Sequence, residues 1–300
     1  MKTPYWFMRK TLLSFILLPI AWGYYGVSRM VFKMRKLHQY NSRRSVICVG
    51  NILAGGVGKT PIVRQIATYL DAPVVMRGYK KTASTGNIGD EATMLSRAGL
   101  IVHTGDRKSN VVLLDKQKSD TPIVMDDGLQ NPTVKKDVSI IVFDESIGFG
   151  NGFLLPAGPL REPKSHAANA DAIIIVRAVN PRKNFTIPAG IPVFYAHNQT
   201  VSPYSDKTPL VAFAGIGYPK KFFNSLHNVV ATRAFSDHYQ YTDDDIKKLL
   251  ELANRKGAKL ITTEKDWVRL PASVRDEIKY AQLDTKIDDN FWDWLKEKIK

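Results

Sequence analysis

A chain of 300 residues has room for about two domains, and 44% hydrophobic against 24% charged residues is typical of a globular protein with a buried core. Its 20 Gly and 16 Pro are an ordinary content, which excludes collagen-like and wholly disordered chains. The single cysteine, Cys48, excludes an internal disulfide and a cysteine-rich metal site, and it favours a reducing, cytosol-facing compartment.

The net charge of +15 is concentrated near the N-terminus. No Asp or Glu precedes Asp71, whereas eleven Lys or Arg residues do. A basic segment of this kind binds either nucleic acid or an anionic lipid surface. Because the cations flank an apolar run instead of lining one polar face, the sequence favours lipid and disfavours nucleic acid.

Residues 1–40 contain that apolar run, the uncharged segment 11–28, with cations and aromatic side chains at both ends. Its length is at the lower limit for crossing ~30 Å of hydrocarbon, and aromatic rings favour the headgroup layer. We therefore expect a membrane-associated helix that lies in the interface or in one leaflet. A helix packed on the protein's own core is the main alternative. A signal peptide is disfavoured, because bulky aromatic residues stand where a cleavage site would need small ones.

The apolar run 45–50 predicts a buried parallel strand, which a glycine-rich turn and a helical pattern follow. This is the context of a phosphate-binding loop. Lys59 would reach the β- and γ-phosphates of ATP, and the Thr60 hydroxyl would bind Mg²⁺. The strict pattern has glycine at position 53, where this chain has Leu53. The residues expected to bind ATP are Asn51, Gly55, Gly56, Val57, Gly58, Lys59 and Thr60.

Further apolar runs follow at the spacing of an α/β fold, which predicts a parallel sheet covered by helices on both faces. Functional residues collect at the carboxyl ends of such strands. Asp126 and Asp127 end one strand and are expected, with Thr60, to hold Mg²⁺. The predicted strands are 73–79, 100–105, 122–128, 138–144 and 172–178.

Residues 181–208 contain four prolines and interrupt the alternation of strands and helices, which predicts a linker with room for a short ribbon at 193–197. We predict an α/β protein with a P-loop NTPase-like parallel sheet, a second, smaller α/β domain and an N-terminal membrane-associated helix. The expected divisions are 1–40 for that helix, 41–180 for the nucleotide-binding domain, 181–208 for the linker and 209–300 for the smaller domain. The final segment, 290–300, has one apolar face, for which core packing is expected.

Four polar residues outside the loop are further candidates. Asp90 opens a predicted helix, where capping is the ordinary role of an acidic side chain. His238 differs from the other five histidines because acidic and aromatic residues surround it on a loop that enters a capped helix. Arg161 and Glu162 lie in a loop rich in Pro and Gly. Arg161 could neutralise the charge of a phosphate, and Glu162 could orient the Arg161 side chain. A surface ion pair of little energetic value is the alternative for these two.

Lys265 and Asp266 follow another predicted strand. They are candidates for a domain interface or for binding a substrate phosphate.

Eight motifs occur in order along most of the chain: VGNILAGGVGKTP, RGYKK, GDEATML, VMDDGLQN, LLPAGPLREP, AFAGIGYPKKFF, FSDHYQYT and TTEKDWVRL. Together with the N-terminal apolar segment, they resemble the tetraacyldisaccharide 4′-kinase family, the lipid A kinases of Gram-negative bacteria. The resemblance implies transfer of the ATP γ-phosphoryl group to the 4′-hydroxyl of an acylated disaccharide 1-phosphate, giving lipid IVA. It also implies Mg²⁺ and attachment to anionic lipids at the cytoplasmic face of the inner membrane.

The resemblance further implies that Asp90 and His238 form a catalytic pair that activates the sugar hydroxyl. The two residues lie so far apart in sequence that the pair could form only if two domains close on each other. Arg161 and Glu162 belong to a motif of the family, which favours a role at the substrate or the transition state.

The chain departs from the common family motifs at Leu129 and Asn131, and at Lys80 and Lys81. The acidic and phosphate-loop positions are intact.

Two other functions remain open at this point. A P-loop ATPase switch of the membrane- or DNA-partitioning type has a similar loop, although those proteins usually carry Lys where Ala54 stands. A nucleotide-gated basic adaptor for anionic lipid or DNA would need residues 1–40 but not Lys59. Neither alternative gives a reason to keep Asp90 and His238.

Overall fold

A computed structural model describes residues 4–78, 89–182 and 185–299; Lys80 and Lys81 lie outside these ranges. The helices of the described residues are α1 Leu12–Ile16, α2 Leu18–Lys36, α3 Lys59–Tyr69, α4 Asp90–Arg97, α5 Arg107–Asp115, α6 Pro219–Phe223, α7 Asp243–Arg255, α8 Glu264–Trp267 and α9 Asp289–Lys298. The strands are β1 Val46–Gly50, β2 Val74–Met76, β3 Val102–Thr104, β4 Ile123–Asp126, β5 Val138–Asp144, β6 Ala172–Val176, β7 Val193–Val201, β8 Leu210–Ala214, β9 Val229–Ala234, β10 Lys259–Thr263 and β11 Lys279–Ile287.

The chain forms two compact units. The larger unit comprises Pro4–His197 and the C-terminal residues from Thr285, and the smaller unit comprises Asn198–Asp284. The divisions therefore fall inside β7 and β11, and they differ from the expected domain boundaries. The expected linker contains β7, and the last helix, which was expected in the smaller domain, buries Phe291 and Leu295 in the core of the larger unit.

The larger unit is built on a parallel sheet in the order β3-β2-β4-β1-β5-β6-β7. Every residue of β1 and β4 is buried, as expected for strands covered on both faces. The register places Val49 of β1 beside Asp126 of β4, so the start of the phosphate loop and the acidic strand end are neighbours. The predicted α/β fold and the strands β1 to β6 are confirmed.

The smaller unit has its own parallel sheet, in the order β11-β10-β8-β9. Helix α7 begins with a capping box, in which the Thr242 hydroxyl accepts from the Asp245 N–H at 3.2 Å. The Asp245 carboxylate in turn accepts from the Thr242 N–H at 3.0 Å. The predicted cap is confirmed, and it fixes the loop that carries His238 at the entrance to this helix.

Helix α2 contacts the larger unit through one face only. Ala21 is buried, and Leu18 and Tyr25 pack against the core, whereas the opposite face consists of exposed large apolar side chains. Those that are more than half exposed are Ile20, Trp22, Tyr24, Val27, Met30 and Met34. Within the described part of the chain, every helix is too short or too polar to span a bilayer.

The loop between β5 and β6 packs tightly around Gly158. A Cβ at this position would stand 2.9 Å from the Phe153 carbonyl carbon and still closer to the Phe153 oxygen and the Asn151 amide oxygen. The Gly158 N–H donates to the Leu154 oxygen at 2.8 Å, so the backbone is held in place. Only glycine fits without a shift of the main chain.

We expect Gly158→Ala to lower the free energy of unfolding by about 1–3 kcal/mol, because an overpacked site forces backbone movement. Urea unfolding followed by circular dichroism measures the effect. Gly23→Ala is the matched control, since no described atom lies within 4 Å of a Cβ there and alanine favours the helix. Equal stability of the two variants would show that the loop yields without cost.

Candidate active site

The phosphate loop connects β1 to α3 and leaves open space at the N-terminus of that helix. Gly55 and Gly58 have φ angles of +116° and +81°, which a side chain would adopt only with strain. No described atom lies within 4 Å of a Cβ built at Gly55 or Gly56. The unpaired N–H groups of the first turn of α3 face the loop, an arrangement that attracts phosphate oxygens.

The loop after β5 forms the second wall of this site. The Ala54 N–H donates to the Pro159 oxygen at 2.7 Å, and the Arg161 N–H donates to the Ile52 oxygen at 2.8 Å. Leu53 and Leu160 form an antiparallel bridge, and both side chains are buried. This position does not require the glycine of the strict pattern, because its φ is not positive and the leucine side chain packs in the core.

Asp127 joins the phosphate loop to the second wall. One carboxylate oxygen lies 3.3 Å from the Lys59 Nζ, and the other accepts from the Arg161 Nη1 at 3.0 Å. Burial would raise the pKa of this carboxyl, but the Lys59 ammonium and the Arg161 guanidinium outweigh burial and hold the pKa below its usual value. Asp127 is thus an anion that holds two cations at the mouth of the loop.

Asp126 has a different environment from its neighbour. Its side chain is 3% exposed, and its Oδ1 is buried without a hydrogen-bond partner among the described residues. Burial is the largest cause that raises its pKa to about 7; the Lys59 ammonium opposes this, and the carboxylates of Glu91 and Asp127 add to it. A buried carboxylate oxygen with spare acceptor capacity beside a phosphate loop is a suitable donor for a divalent cation.

The expected metal ligands fit a P-loop cation in part. Such a site uses the hydroxyl at the start of the helix and one strand-end carboxylate, while water and phosphate supply the remaining ligands. Thr60 and Asp126 provide this donor set. The Oδ1 of Asp127 is also buried without a hydrogen-bond partner in the described part of the chain, but both oxygens of Asp127 lie in ion pairs with cations. Among the residues described, no three His, Cys, Asp or Glu side chains are grouped to hold a metal on their own.

Two residues that shape this site were not sequence candidates. Arg107 is 7% exposed, and its Nη2 donates to the backbone oxygens of both Asp126 and Asp127 at 2.9 Å. Gln130 donates to the Asn51 oxygen at 3.0 Å and lies 3.4 Å from the Arg161 Nη1. Gln130 stands in the quoted acidic motif, but nothing in the sequence distinguishes Arg107 from a surface arginine.

Asn51 and Val57, both expected to bind ATP, are buried within the loop. The Asn51 amide donates to the Gly55 oxygen at 3.5 Å. These two residues therefore support the conformation of the loop, and Gly55 and Gly56 form its exposed part.

Asp90 and Glu91 begin helix α4 in the larger unit, close enough for the Glu91 charge to act on Asp126. Gly89 is the N-cap residue, and no side chain caps this helix. Asp90 is therefore the first residue of the helix and not its cap, and its charge lies where it interacts favourably with the helix dipole. Its carboxylate is partly exposed in the first turn of the helix.

His238 lies in the smaller unit, on a strained and buried support. Its φ is +60°, and its N–H donates to the Gly215 oxygen at 3.1 Å. The Arg269 Nη2 lies 3.3 Å from Nδ1, so Nδ1 accepts and Nε2 carries the proton of the neutral ring. Nε2 lies 3.9 Å from an Asp237 oxygen, and the side chain is 61% exposed. The imidazole thus lies largely at the surface of this unit.

Asp266 belongs to the support beneath His238. It is wholly buried and accepts from the Gly215 N–H at 3.0 Å, the Tyr241 hydroxyl at 3.0 Å and the Arg269 Nη1 at 3.1 Å. The expectation that Asp266 binds a substrate phosphate is wrong, because a fully buried and fully paired carboxylate has no access to a ligand.

Arg161 and Glu162 point to different partners. The Arg161 guanidinium reaches Asp127, and a Glu162 oxygen lies 3.2 Å from the His166 Nδ1. The side chains of both pairs are at least 70% buried. Neither contact is therefore an exposed surface ion pair, which was the alternative function of Arg161 and Glu162.

Comparison with known proteins finds relatives that match most of the chain. A family model described as tetraacyldisaccharide-1-P 4′-kinase matches residues 13–300. The tetraacyldisaccharide 4′-kinase of Methylobacterium nodulans is 40% identical, over 76% of this chain and 76% of the relative. That of Rickettsia bellii is 35% identical, over 99% of this chain and 97% of the relative.

A similar fold occurs in the crystal structure of LpxK from Aquifex aeolicus in complex with ATP. The TM-score is 0.77 at 22% identity, and the match covers 96% of this chain and 100% of the other.

The raised pKa of Asp126 predicts a pH-dependent stability. Between the usual aspartate pKa of about 4 and about 7, the folded chain keeps a proton on Asp126 that the unfolded chain has lost. A rise in pH through this window therefore destabilises the fold. Asp126→Asn keeps the shape of the side chain but cannot ionise, so this dependence should disappear.

We expect the free energy of unfolding of the parent chain, relative to Asp126→Asn, to fall by about 2–3 kcal/mol between pH 5 and pH 8, at about 1.4 kcal/mol for each pKa unit. Urea unfolding in EDTA measures this without bound metal. Asp120→Asn, at an exposed position, is the control and should follow the parent at both pH values. Parallel pH profiles of the parent and Asp126→Asn would contradict the burial of a protonated carboxyl.

Proposed function

Because this chain belongs to the tetraacyldisaccharide-1-P 4′-kinase family, we propose that the ion-paired cluster at the phosphate loop is its phosphoryl-transfer site. The chain is a lipid kinase of lipid A biosynthesis, and it uses ATP to phosphorylate the 4′-hydroxyl of a tetraacyldisaccharide 1-phosphate. The family relationship decides against a partitioning ATPase and against a basic adaptor. The observation that carries the site is Asp127, which holds Lys59 and Arg161 together.

The two cations are suited to the charge of a transferring phosphoryl group. Lys59 stands at the first position of α3, and Arg161 comes from a loop about one hundred residues later, yet one carboxylate pairs with both. Phosphoryl transfer has a loose transition state, so positioning and charge neutralisation supply most of the catalysis. In this proposal Asp127 keeps both cations aimed at the loop, and phosphate oxygens become their additional partners.

Thr60 and Asp126 would hold Mg²⁺, which when bound neutralises charge on the β- and γ-phosphates. The buried, unpartnered Oδ1 of Asp126 supports this part of the proposal. In this proposal Asp127 pairs with Lys59 and Arg161 and does not bind the metal. Of the two aspartates expected from the sequence to hold Mg²⁺, only Asp126 would then do so. Arg107 donates to the backbone oxygens of both aspartates and keeps their side chains in position.

The acceptor hydroxyl needs a group that orients it and receives its proton late in the transfer. Asp90 fits this role, because its partly exposed carboxylate lies in the first turn of α4. It is next to Glu91, whose charge helps to raise the pKa of Asp126. In this proposal the Nε2–H of His238 holds the Asp90 carboxylate by a charge-assisted hydrogen bond, as the family resemblance implies. The pairing of Asp90 with His238 stays a prediction, which mutagenesis of both tests.

Attachment to the cytoplasmic face of the inner membrane is supported by α2. One face of this helix exposes large apolar side chains, and its last turn carries Lys33, Arg35 and Lys36. An apolar face next to cations is the pattern of a helix that lies in a membrane interface with anionic lipids. The acylated substrate resides in the same layer.

Phosphorylation of tetraacyldisaccharide 1-phosphate in mixed micelles, with labelled ATP, tests the site. We expect Lys59→Ala and Asp90→Asn each to lower kcat about 10²–10³-fold, because each removes a charge that acts on the reacting groups. His238→Ala should lower kcat similarly. His227→Ala is the control, as an exposed histidine of the same unit.

If Asp90 and His238 act as a pair, the double variant should be little slower than either single variant. ATP binding, measured by calorimetry, should survive in both single variants. Rates near that of the parent chain in Asp90→Asn would remove this residue from the mechanism, and multiplied losses in the double variant would contradict the pairing.

Flotation with vesicles that contain anionic lipid tests the membrane surface. We expect Ile20→Asp to reduce the bound fraction strongly, since a charge on the exposed apolar face opposes insertion. Ile101→Asp is the matched control, because this isoleucine is similarly exposed but lies outside α2. Binding should also weaken as salt screens the cations. Equal flotation of the two variants would contradict attachment through α2.

A further inference from the structure

We propose that Tyr25, His166 and Glu162 form a positioning relay that connects helix α2 to the loop carrying Arg161. This inference rests on the proposed function, because it concerns the same reaction. The Tyr25 hydroxyl lies 3.1 Å from the His166 Nε2, and the His166 Nδ1 lies 3.2 Å from a Glu162 oxygen. All three residues lie in the larger unit. No sequence pattern joins them, since 141 residues separate Tyr25 from His166.

The chemistry of the three groups fixes the direction of the relay. An ionised carboxylate can only accept, so the Nδ1 of His166 must donate to Glu162. In the neutral ring Nε2 is then the acceptor, and the Tyr25 hydroxyl donates to it. Each of the two ring nitrogens therefore has one partner, a donor for Nε2 and an acceptor for Nδ1. The network holds the ring in one tautomer and one orientation.

Burial strengthens these contacts. The side chains of His166 and Glu162 are only 20% and 19% exposed, so water competes weakly for their hydrogen bonds. The Tyr25 and His166 rings also meet edge to face, with centroids 6.1 Å apart. The relay is thus a packed connection between α2 and the loop and not a surface contact.

The far end of the relay reaches the phosphate loop. Glu162 is the immediate neighbour of Arg161, whose N–H donates to the Ile52 oxygen at 2.8 Å. The Arg161 guanidinium contacts Asp127, which in turn contacts Lys59. A displacement of Glu162 therefore moves the backbone on which Arg161 depends. His166 and Tyr25 act through Glu162, as positioning residues that do not themselves contact the reacting groups.

The near end lies on the helix whose other face is exposed and apolar. Tyr25 follows Ala21 by one turn, so both side chains lie on the face that packs against the core. Trp22 and Tyr24, by contrast, are more than half exposed. The position of α2 consequently sets the position of the Tyr25 hydroxyl. In the proposed relay, engagement of a lipid layer by α2 stabilises the arrangement of Arg161 that transfer requires.

Conservative substitutions can separate the two bonds of the relay. Tyr25→Phe removes only the hydroxyl. His166→Asn keeps a donor close to the Nδ1 position but cannot reach Tyr25, and His166→Phe keeps a ring without either bond. Tyr69→Phe is the control, because it removes a tyrosine hydroxyl from an exposed residue of the same unit that lies outside α2.

We expect Tyr25→Phe and His166→Asn to lower kcat for the lipid substrate by about three- to tenfold and His166→Phe by more, with the KM for ATP unchanged in all three. The double variant Tyr25→Phe/His166→Asn should be no slower than either single variant, because both changes remove the same bond. A merely structural role would lower the melting temperature without this split between kcat and KM.

The relay is overturned if Tyr25→Phe keeps the kcat of Tyr69→Phe, or if the losses of Tyr25→Phe and His166→Asn multiply. An inactive parent chain and an inactive Tyr69→Phe would instead overturn the proposed function, and the relay with it. An active parent with unaffected relay variants would leave the kinase function in place and remove only the relay. The two failures are therefore distinguishable in one set of assays.

Discussion

The shared carboxylate of Asp127 is the interaction on which the site depends. Its two cations come from separate segments of the chain, and each approaches at about 3 Å. Without the carboxylate, the two cations would repel each other. Asp127 lies between them and stabilises their common position. A site prepared in this way meets a triphosphate with its positive charge already in place, which reduces the reorganisation that binding requires.

The parallel sheet makes this convergence possible. Because β1 and β4 are neighbours in register, the loop after one strand and the carboxylates at the end of the other emerge at the same edge. Asp127 turns out of β4 with a φ of +50°, a conformation that Asp tolerates better than most residues. Its N–H donates to the Val49 oxygen, and Arg107 binds its carbonyl, so neighbouring elements hold this backbone in place.

The strands and the phosphate loop could be predicted because the fully buried strands of a parallel sheet form continuous apolar runs. The division of the chain into its two units could not be predicted. In strand β7 only Phe194 and Ala196 are buried and the second half is polar, so the sequence indicates a short ribbon within a linker. The apolar face of α9 predicts only that the helix is packed; which core it joins depends on tertiary contacts. The roles of Arg107 and His166 likewise depend on partners that only the fold brings near.

One face of helix α2 packs on the core, and the other exposes large apolar side chains, so this structure leaves room for the membrane association proposed above. Complete burial of a large apolar side chain contributes about 1.5–3 kcal/mol, so six half-exposed side chains offer roughly 6 kcal/mol to a lipid layer. Basic residues near an anionic surface add about 1 kcal/mol each. In the proposed attachment, these contributions would hold the chain at a lipid surface without a spanning segment. A helix whose other face is fixed to the core would then pass a displacement in the lipid layer to the protein. Tyr25 lies on the core-facing side, in contact with His166, which would move with it.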